Sequence, residues 1–177
     1  MKYLENRIIK LRSPELSDLD LLYKWENDTD IWLSGVTNAP FSKFVLSKYL
    51  ETAHLDLYEN KQLRLMIDLK EENNRTIGTI DIFDFDTCNH RAGIGVLIAE
   101  NNDRGHGYAG ESLKIVTKYC FNLLGLNQLF CNIAEDNTTS LKLFEKCGFE
   151  VIGLKKQWTR RGKGYINEYM LQLINTN

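Results

Sequence analysis

A glycine-rich segment in the second half of the chain has the composition of a loop that binds phosphate. A predicted helix follows the segment, whose residues in order are Arg104, Gly105, His106, Gly107, Tyr108, Ala109 and Gly110. Backbone N–H groups at a helix N-terminus lack partners within the helix and carry the positive end of the helix dipole. Because glycine leaves these groups uncovered and Arg104 adds a positive charge, the segment predicts a site for an anionic group.

Two common kinds of phosphate-binding loop fit this segment poorly. A P-loop requires glycine and lysine followed by serine or threonine, a pattern that the sequence lacks. Gly105, Gly107 and Gly110 do match the spacing of a dinucleotide-binding fingerprint. That fingerprint opens repeated strand–helix–strand units and needs an acid further on. Here an antiparallel meander precedes the segment and no Asp or Glu lies between 125 and 134, so dinucleotide binding stays a disfavoured alternative.

A second pattern follows about 30 residues downstream, at the start of another predicted helix. It reads Asn137-x-x-Ser140-x-x-Leu143-Phe144-Glu145-Lys146-Cys147-Gly148-Phe149. This pattern and Arg104-x-x-Gly107-x-Ala109 resemble two signatures of the GNAT N-acetyltransferases, N-x-x-S-x-x-L-Y-E-K-x-G-F and R/Q-x-x-G-x-G/A. The resemblance covers roughly residues 8 to 173. Within the family it is most similar to the branch of bacterial spermidine/diamine and ribosomal-protein N-terminal acetyltransferases.

The resemblance implies direct transfer of an acetyl group from acetyl-CoA to a primary amine, without a covalent enzyme intermediate and without a metal. Residues 104–109 are then expected to hold the pyrophosphate. Pantetheine is expected along the preceding strand at Val96, Leu97 and Ile98. A backbone N–H near Leu97 or Ile98 is expected to polarise the thioester carbonyl, as preorganised donors do in acyl transfer.

The helix of the second pattern carries three further residues with expected roles. Asn137 is expected to cap the helix, to contact the cofactor, or to do both. Lys146 is expected near the adenosine phosphate, with a solvated helix lysine as the alternative. Phe144 departs from the family, much of which has a tyrosine there that protonates the leaving thiolate. Phe144 is therefore expected only to pack against pantetheine, which leaves Tyr165, water or the free thiolate for the proton.

The acceptor amine must lose a proton before it attacks. A lysine-like amine has a pKa near 10.4, so a carboxylate, directly or through water, is the expected proton acceptor. Related polyamine enzymes carry a glutamate early in the strand before the loop, where this sequence has Gly93. Asp81 and Asp84 on the preceding strand are the remaining candidates, with a plain solvent-facing position as their alternative. Gly93 and Phe144 leave a second function open, a degenerate acyl-CoA-binding module without turnover.

Acidic residues near the end of the first predicted helix bear on the acceptor. Glu26, Asp28 and Asp30 lie close in sequence to Trp32, whose ring suits a cationic chain. A polyamine or diamine is therefore the favoured acceptor and a protein N-terminus is the next, while a solvated helix end is the alternative for the acids. Assembly into a homo-oligomer is left open.

The elements that must position these residues are predicted to form one α+β domain over residues 1–177. Apolar periodicity and turn signals predict the order β-α-α-β-β-β-α-β-α-β-β. Ser13 as N-cap and Pro14 predict the start of the first helix, which runs to about Asn27 with Leu16 facing inward. The resemblance adds a mixed, mostly antiparallel sheet of about seven strands, flanked by about four helices and splayed around the cofactor.

Two local predictions concern the sheet. Leu63 to Leu69 alternates between apolar and polar residues, which indicates a strand buried on one face. The glycines and cations from Thr159 to Gly164 indicate a hairpin loop between the last two strands.

Composition excludes several functional classes. The net charge of −2 argues against binding to duplex DNA or to an anionic membrane surface. No apolar window approaches the length of a transmembrane helix, and the N-terminal residues lack a signal-peptide pattern, so a cytoplasmic protein is expected. The four cysteines and three histidines show no zinc-ligand spacing, and reduced cysteines are expected.

Overall fold

Seven strands form one mixed sheet in the computed structural model, which describes residues 3–32, 39–52 and 57–176. The strands are β1 (Ile9–Arg12), β2 (Leu63–Leu69), β3 (Arg75–Asp86), β4 (Arg91–Ile98), β5 (Gln128–Ala134), β6 (Glu150–Arg161) and β7 (Gly164–Ile174). Their order across the sheet is β1-β2-β3-β4-β5-β7-β6. Neighbours are antiparallel except β4 and β5, which are parallel. The predicted α+β class and mixed, mostly antiparallel sheet are confirmed.

Within these described ranges the chain forms six helices, where about four were predicted. They are α1 (Leu19–Glu26), α2 (Thr29–Trp32), α3 (Lys43–Thr52), α4 (Leu57–Asn60), α5 (Tyr108–Asn122) and α6 (Thr138–Lys146). The two additional helices, α2 and α4, are single turns of four residues, too short for apolar periodicity to indicate them. No helix of the described ranges has the length and apolar character needed to cross a bilayer.

The first helix starts later than predicted, and Leu16 does not face inward. Glu15 is the N-cap of a short 3-10 turn over Leu16–Asp18, and Asp18 rather than Ser13 is the N-cap of α1. The Asp18 carboxylate accepts hydrogen bonds from the Glu15 N–H (2.8 Å) and from two nitrogens of Arg12 (2.7 and 2.8 Å). These bonds hold the turn against β1 and leave Leu16 60% exposed, an arrangement that local sequence signals do not reveal.

Helices pack on both faces of the sheet. α5 and α6 cover one face over the larger core, while α1 and α3 cover the other, which we call the α1–α3 face. The prediction that β2 is buried on one face only is wrong. Met66 is buried beneath α1 and α3, and Asp68 is buried beside Arg12. Alternation along one strand does not tell whether a second layer covers its more polar face.

β4 and β5 separate partway along their length. In the described chain they pair where Arg91–Gly93 lies beside Gln128–Phe130, and no further. The rest of β4, up to Ile98, pairs with β3 on its other side. We call the opening between the two strands the β4–β5 fork. It confirms the splayed sheet that the family resemblance implies.

The hairpin between β6 and β7 is tighter than predicted. Strand pairing continues until Arg161 lies opposite Gly164, so only two residues form the turn. Gly162 has a φ of 56°, which suits the first position of such a turn. The prediction of a loop from Thr159 was wrong because polar residues at a sheet edge pair as readily as apolar ones.

Candidate functional site

Residues 104–109, which we call the cradle, form the turn at the start of α5. Gly107 is the N-cap of α5 and, like Gly105, has a positive φ, 85° and 82° respectively. A Cβ added at either glycine would meet nothing within 4 Å, so the backbone of the turn faces open space. The first N–H groups of α5 and the helix dipole are therefore accessible to an anion, as the sequence predicted.

Arg104 ties the cradle to the end of β4. Its Nε donates to the carbonyl of Ile98 (2.9 Å), and its Nη2 donates to the carbonyl of Ala99 (3.0 Å). The guanidinium thus folds back onto the strand that leads into the cradle. Direct contact between this charge and a phosphate stays a prediction.

A second arginine, which sequence reasoning missed, holds the loop just before the cradle. Arg75 donates two parallel hydrogen bonds to Asp103 (2.9 and 2.8 Å), and Asp103 is only 7% exposed. The hydrogen bonds from Arg75 hold the pKa of the Asp103 carboxyl below its usual value. Glu72 accepts a further bond from Arg75 at 2.7 Å. No local pattern pairs residues 28 apart, so only the folded chain reveals this anchor.

The side chains around Gly107 leave the cradle accessible. His106 is exposed, and its ring stacks on that of Tyr108 with centroids 5.6 Å apart. Ala109 is half-buried in the first turn of α5. Gly110 lies beside α6, where an added Cβ would make an ordinary contact with Leu143 Cδ1 at 3.6 Å.

The residues expected to contact pantetheine lie on the open half of β4. Val96, Leu97 and Ile98 are half-buried and pair with β3 on one side, while the fork lies on the other. The side chains of Val96 and Ile98 pack against the larger core, so strand alternation directs Leu97 to the α1–α3 face. Backbone groups on the fork side of this half are accessible to an extended ligand.

Gly93 stands at the closed end of the fork, where the resemblance expects a glutamate in polyamine enzymes. A Cβ added there would lie within 3.0 Å of three ring carbons of Phe83. The ring therefore occupies the space that a side chain at position 93 requires. Glycine at position 93 is therefore required by the Phe83 ring on the neighbouring strand, which leaves no room for a glutamate side chain there.

Asp81 belongs to an ionic cluster on the α1–α3 face. Arg64 donates through Nε to Asp81 (2.7 Å) and also binds Glu26 at the end of α1. The Arg64 guanidinium carbon lies 5.9 Å from the centroid of the Tyr49 ring. Burial raises the pKa of the Tyr49 hydroxyl. Asp81 is therefore half-buried and ion-paired, which excludes the plain solvent-facing alternative for this residue.

Asp84 has a different environment, although it lies only three residues further along β3. It is exposed and has a φ of 48°, in a stretch where the register with β4 shifts between Phe83 and Asp86. This position agrees with the solvent-facing alternative. The two candidate carboxylates are thus distinguished by the structure, one held by a guanidinium and one in solvent.

α6 carries the second signature. Asn137 is its N-cap and accepts a hydrogen bond from the Ser140 N–H (3.1 Å), so the expected capping role is confirmed. Phe144 is 4% exposed and packs edge-on against Phe149, with ring centroids 5.0 Å apart. Lys146 is exposed in the last turn. Contacts of Asn137, Phe144 and Lys146 with the cofactor stay predictions.

Tyr165 lies near the tip of the β6–β7 hairpin and is 63% exposed. The hairpin is fastened to the end of β5 because the Glu135 carboxylate accepts two hydrogen bonds from Asn167 (2.8 and 2.9 Å). Arg161 adds an ion pair with Asp136 at 3.1 Å. These contacts hold the hairpin at the end of β5, where Ala134 pairs with Glu168, and Tyr165 lies three residues before Glu168.

The geometry leads to a family comparison. The sequence matches the family model described as "Acetyltransferase (GNAT) domain" over residues 9–150, which spans β1 to the start of β6. The chain belongs to the GNAT acetyltransferase family. As a GNAT N-acetyltransferase it uses acetyl-CoA as acetyl donor, a substrate whose pyrophosphate suits the uncovered backbone of the cradle.

Individual GNAT relatives cover most of the chain. An uncharacterised N-acetyltransferase, p20, from Bacillus licheniformis is 27% identical over 174 residues, 98% of this chain and 97% of that protein. A spermidine N(1)-acetyltransferase from Vibrio cholerae is 24% identical over 81% of this chain and 80% of its own length. The crystal structure of the V. cholerae spermidine N-acetyltransferase in complex with CoA and spermine matches with a TM-score of 0.85 at 20% identity, covering 96% of both chains.

The described residues contain no group of His, Cys, Asp or Glu side chains that could hold a metal ion. All four cysteines are free thiols. Burial raises the pKa of Cys120 and of Cys131 to about 12, so neither thiol is poised as a nucleophile at neutral pH.

Proposed function

We propose that this chain transfers acetyl from acetyl-CoA directly to a small primary amine, with a polyamine or diamine favoured and a protein N-terminus next. One observation carries the proposal: an uncovered helix N-terminus for a pyrophosphate continues into the open edge of β4 for an extended chain. The acceptor class is supported by the spermidine relative, whose sequence matches most of this chain.

The acids at the end of α1 are no longer equivalent. Glu26 is ion-paired with Arg64, which also binds Asp81, and the carbonyl of Glu26 accepts a hydrogen bond from Trp32 Nε1 at 2.6 Å. Asp28 accepts the N–H of Asp30 at 2.9 Å, and neither carboxylate takes part in an ion pair among the described residues. We therefore assign Asp28 and Asp30 to the attraction of a cationic acceptor.

Proton transfer requires an acceptor for the amine and a donor for the thiolate. For the amine we propose Asp81 or Asp84, through water. Asp81 lies opposite Gly95 of β4, next to the fork, which favours it on position, while Asp84 is free of the guanidinium. For the thiolate we propose the Tyr165 hydroxyl as proton donor, with Asn137 as a contact to the cofactor.

A panel of amines tests the function. Acetyl-CoA is mixed with putrescine, spermidine, a peptide with a free N-terminus or a free amino acid, and thiol release is followed with a disulfide reagent. Mass spectrometry of the product identifies the acetylated nitrogen. We expect turnover with the diamine and the polyamine. Tight CoA binding without turnover on any amine would instead support the degenerate binding module.

The two carboxylates are separated in the same assay. Asp81→Asn and Asp84→Asn are compared by the pH dependence of kcat/KM for the best amine. The variant that has lost the proton acceptor requires a higher pH, because only amine that is already neutral reacts. Equal profiles for both variants and the wild type would exclude both residues.

We also propose that the chain assembles with copies of itself. The solved spermidine N-acetyltransferase of V. cholerae includes a form described as dodecameric, with a TM-score of 0.75 to this chain at 18% identity. The outermost strand, β6, exposes Val151, Ile152 and Leu154. Light scattering of the purified chain measures its mass, and a monomer at micromolar concentration would contradict the proposal.

A further inference from the structure

Phe83 and Phe130 form an aromatic pair at the closed end of the β4–β5 fork. Their ring centroids are 5.9 Å apart and their planes meet at 84°, an edge-to-face arrangement. The pairing of β4 with β5 ends where Gly93 lies beside Phe130, and Gly93 is also the register partner of Phe83 on β3. Both aromatic side chains are half-buried, so part of their apolar surface remains accessible.

Two glycines of β4 form the floor on which the Phe83 ring lies. A Cβ added at Gly93 would be within 3.0 Å of the ring, and one added at Gly95 would be 3.8 Å from Phe83 Cε1. The ring therefore extends along β4 from the closed end of the fork toward its open half. It covers the β4 backbone at Gly93, where the family resemblance expects a glutamate.

The acceptor can reach the fork from one face of the sheet. On the face of α5 and α6, Ala92 and Ile94 are buried in the larger core. On the α1–α3 face, Gly95 is half-buried and lies opposite Asp81, which precedes Phe83 by two residues and so shares its face. An amine approaching from this face meets the Asp81 carboxylate, which is paired with Arg64, and the Phe83 ring beside it.

We propose that the Phe83–Phe130 pair is the apolar wall of the acceptor site, against which the carbons next to the reactive nitrogen pack. The inference rests on the proposed acetyl transfer and narrows its substrate class. The wall suits a primary amine followed by a hydrocarbon segment, as in a diamine or polyamine. An α-amino group suits it less, because the neighbouring carbonyl would face the rings without a hydrogen-bond partner.

A series of n-alkyl primary amines, from ethylamine to hexylamine, tests the wall without involving a second charge. We expect kcat/KM to rise by about fourfold per methylene in the wild type while the chain lies on the rings. Phe83→Ala should flatten this dependence and leave the KM for acetyl-CoA unchanged. Phe83→Leu keeps most of the apolar volume, so it should retain part of the increase in kcat/KM with chain length. This variant replaces Phe83→Ala in the test if the alanine variant does not fold.

Phe121→Ala is the matched control, since Phe121 is a half-buried phenylalanine on α5 that packs against the larger core on the opposite face. It should keep the wild-type slope even if it lowers stability. The proposed wall is contradicted if kcat/KM of the wild type does not change along the amine series. It is also contradicted if folded Phe83→Ala shows the same increase per methylene as the wild type. Absence of acetyl transfer to every amine would overturn the proposed function itself, so the two failures are distinguishable.

Discussion

Replacing Gly107 with valine should weaken CoA binding by about 10- to 150-fold. Gly107 has a φ of 85° and heads α5, and a Cβ there projects into the open space of the cradle. A hydrogen bond to a charged group contributes about 1.5–3 kcal/mol, and each 1.4 kcal/mol changes an affinity tenfold, so blocking one backbone contact to pyrophosphate gives this range.

Valine also strains the left-handed turn, by about 1–3 kcal/mol, which lowers the melting temperature by roughly 2–4 °C per kcal/mol. Gly125→Val controls for this strain. Gly125 has a φ of 66°, and its added Cβ also meets nothing within 4 Å. It lies beyond the far end of α5, whose 15 residues span about 22 Å. Isothermal titration measures the dissociation constant of CoA for both folded variants. Equal dissociation constants would refute the prediction that the cradle binds the pyrophosphate.

Two further predictions concern the supports of the site. Arg75→Ala should raise the KM for acetyl-CoA and cost about 1–3 kcal/mol of stability, since it leaves Asp103 buried without its partner. Because the folded pKa of Asp103 is depressed, this stabilisation is complete above the unfolded pKa near 3.9 and is lost as the pH falls through the folded value. Urea unfolding at pH 7 and pH 3 should therefore show a smaller difference between variant and wild type at pH 3; a constant difference contradicts the assignment. Gly93→Ala should destabilise by about 1–3 kcal/mol because Phe83 must move, whereas Gly95→Ala meets only an ordinary contact. Thermal melts that rank the two glycine variants in the opposite order would show that the ring is placed elsewhere.

Features that depend only on neighbouring residues agree with the sequence predictions, whereas features that depend on distant residues do not. Gly105, Gly107 and Asn137 act through the backbone of their own turn or helix end, and the structure places each at a helix N-terminus as expected. The start of α1 was misplaced because Asp18, which shapes that turn, is held by Arg12 on β1. The ion pair between Arg12 and Asp18 forms only when the strand and the turn pack together, so the residues around Ser13 do not indicate it.

The same limit explains the carboxylates. Asp81 and Asp84 have the same residue type three positions apart on one strand, so the sequence gives no reason to separate them. The fold brings Arg64 from β2 and Glu26 from α1 to Asp81, while the register shift after Phe83 turns Asp84 into solvent. The different environments of the two acids therefore depend on how β2, β3 and α1 pack together.

By itself the sequence determined the family, the acetyl donor and the cradle, because these depend on glycines and caps whose effect is local backbone geometry. Only the tertiary structure decided what surrounds the acceptor. Gly93 indicated a missing carboxylate, and the fold places the Phe83 ring in that space with Phe130 beside it. The physical reason is that strand register brings β3, β4 and β5 side by side, and no pattern within a single strand encodes which side chains then meet.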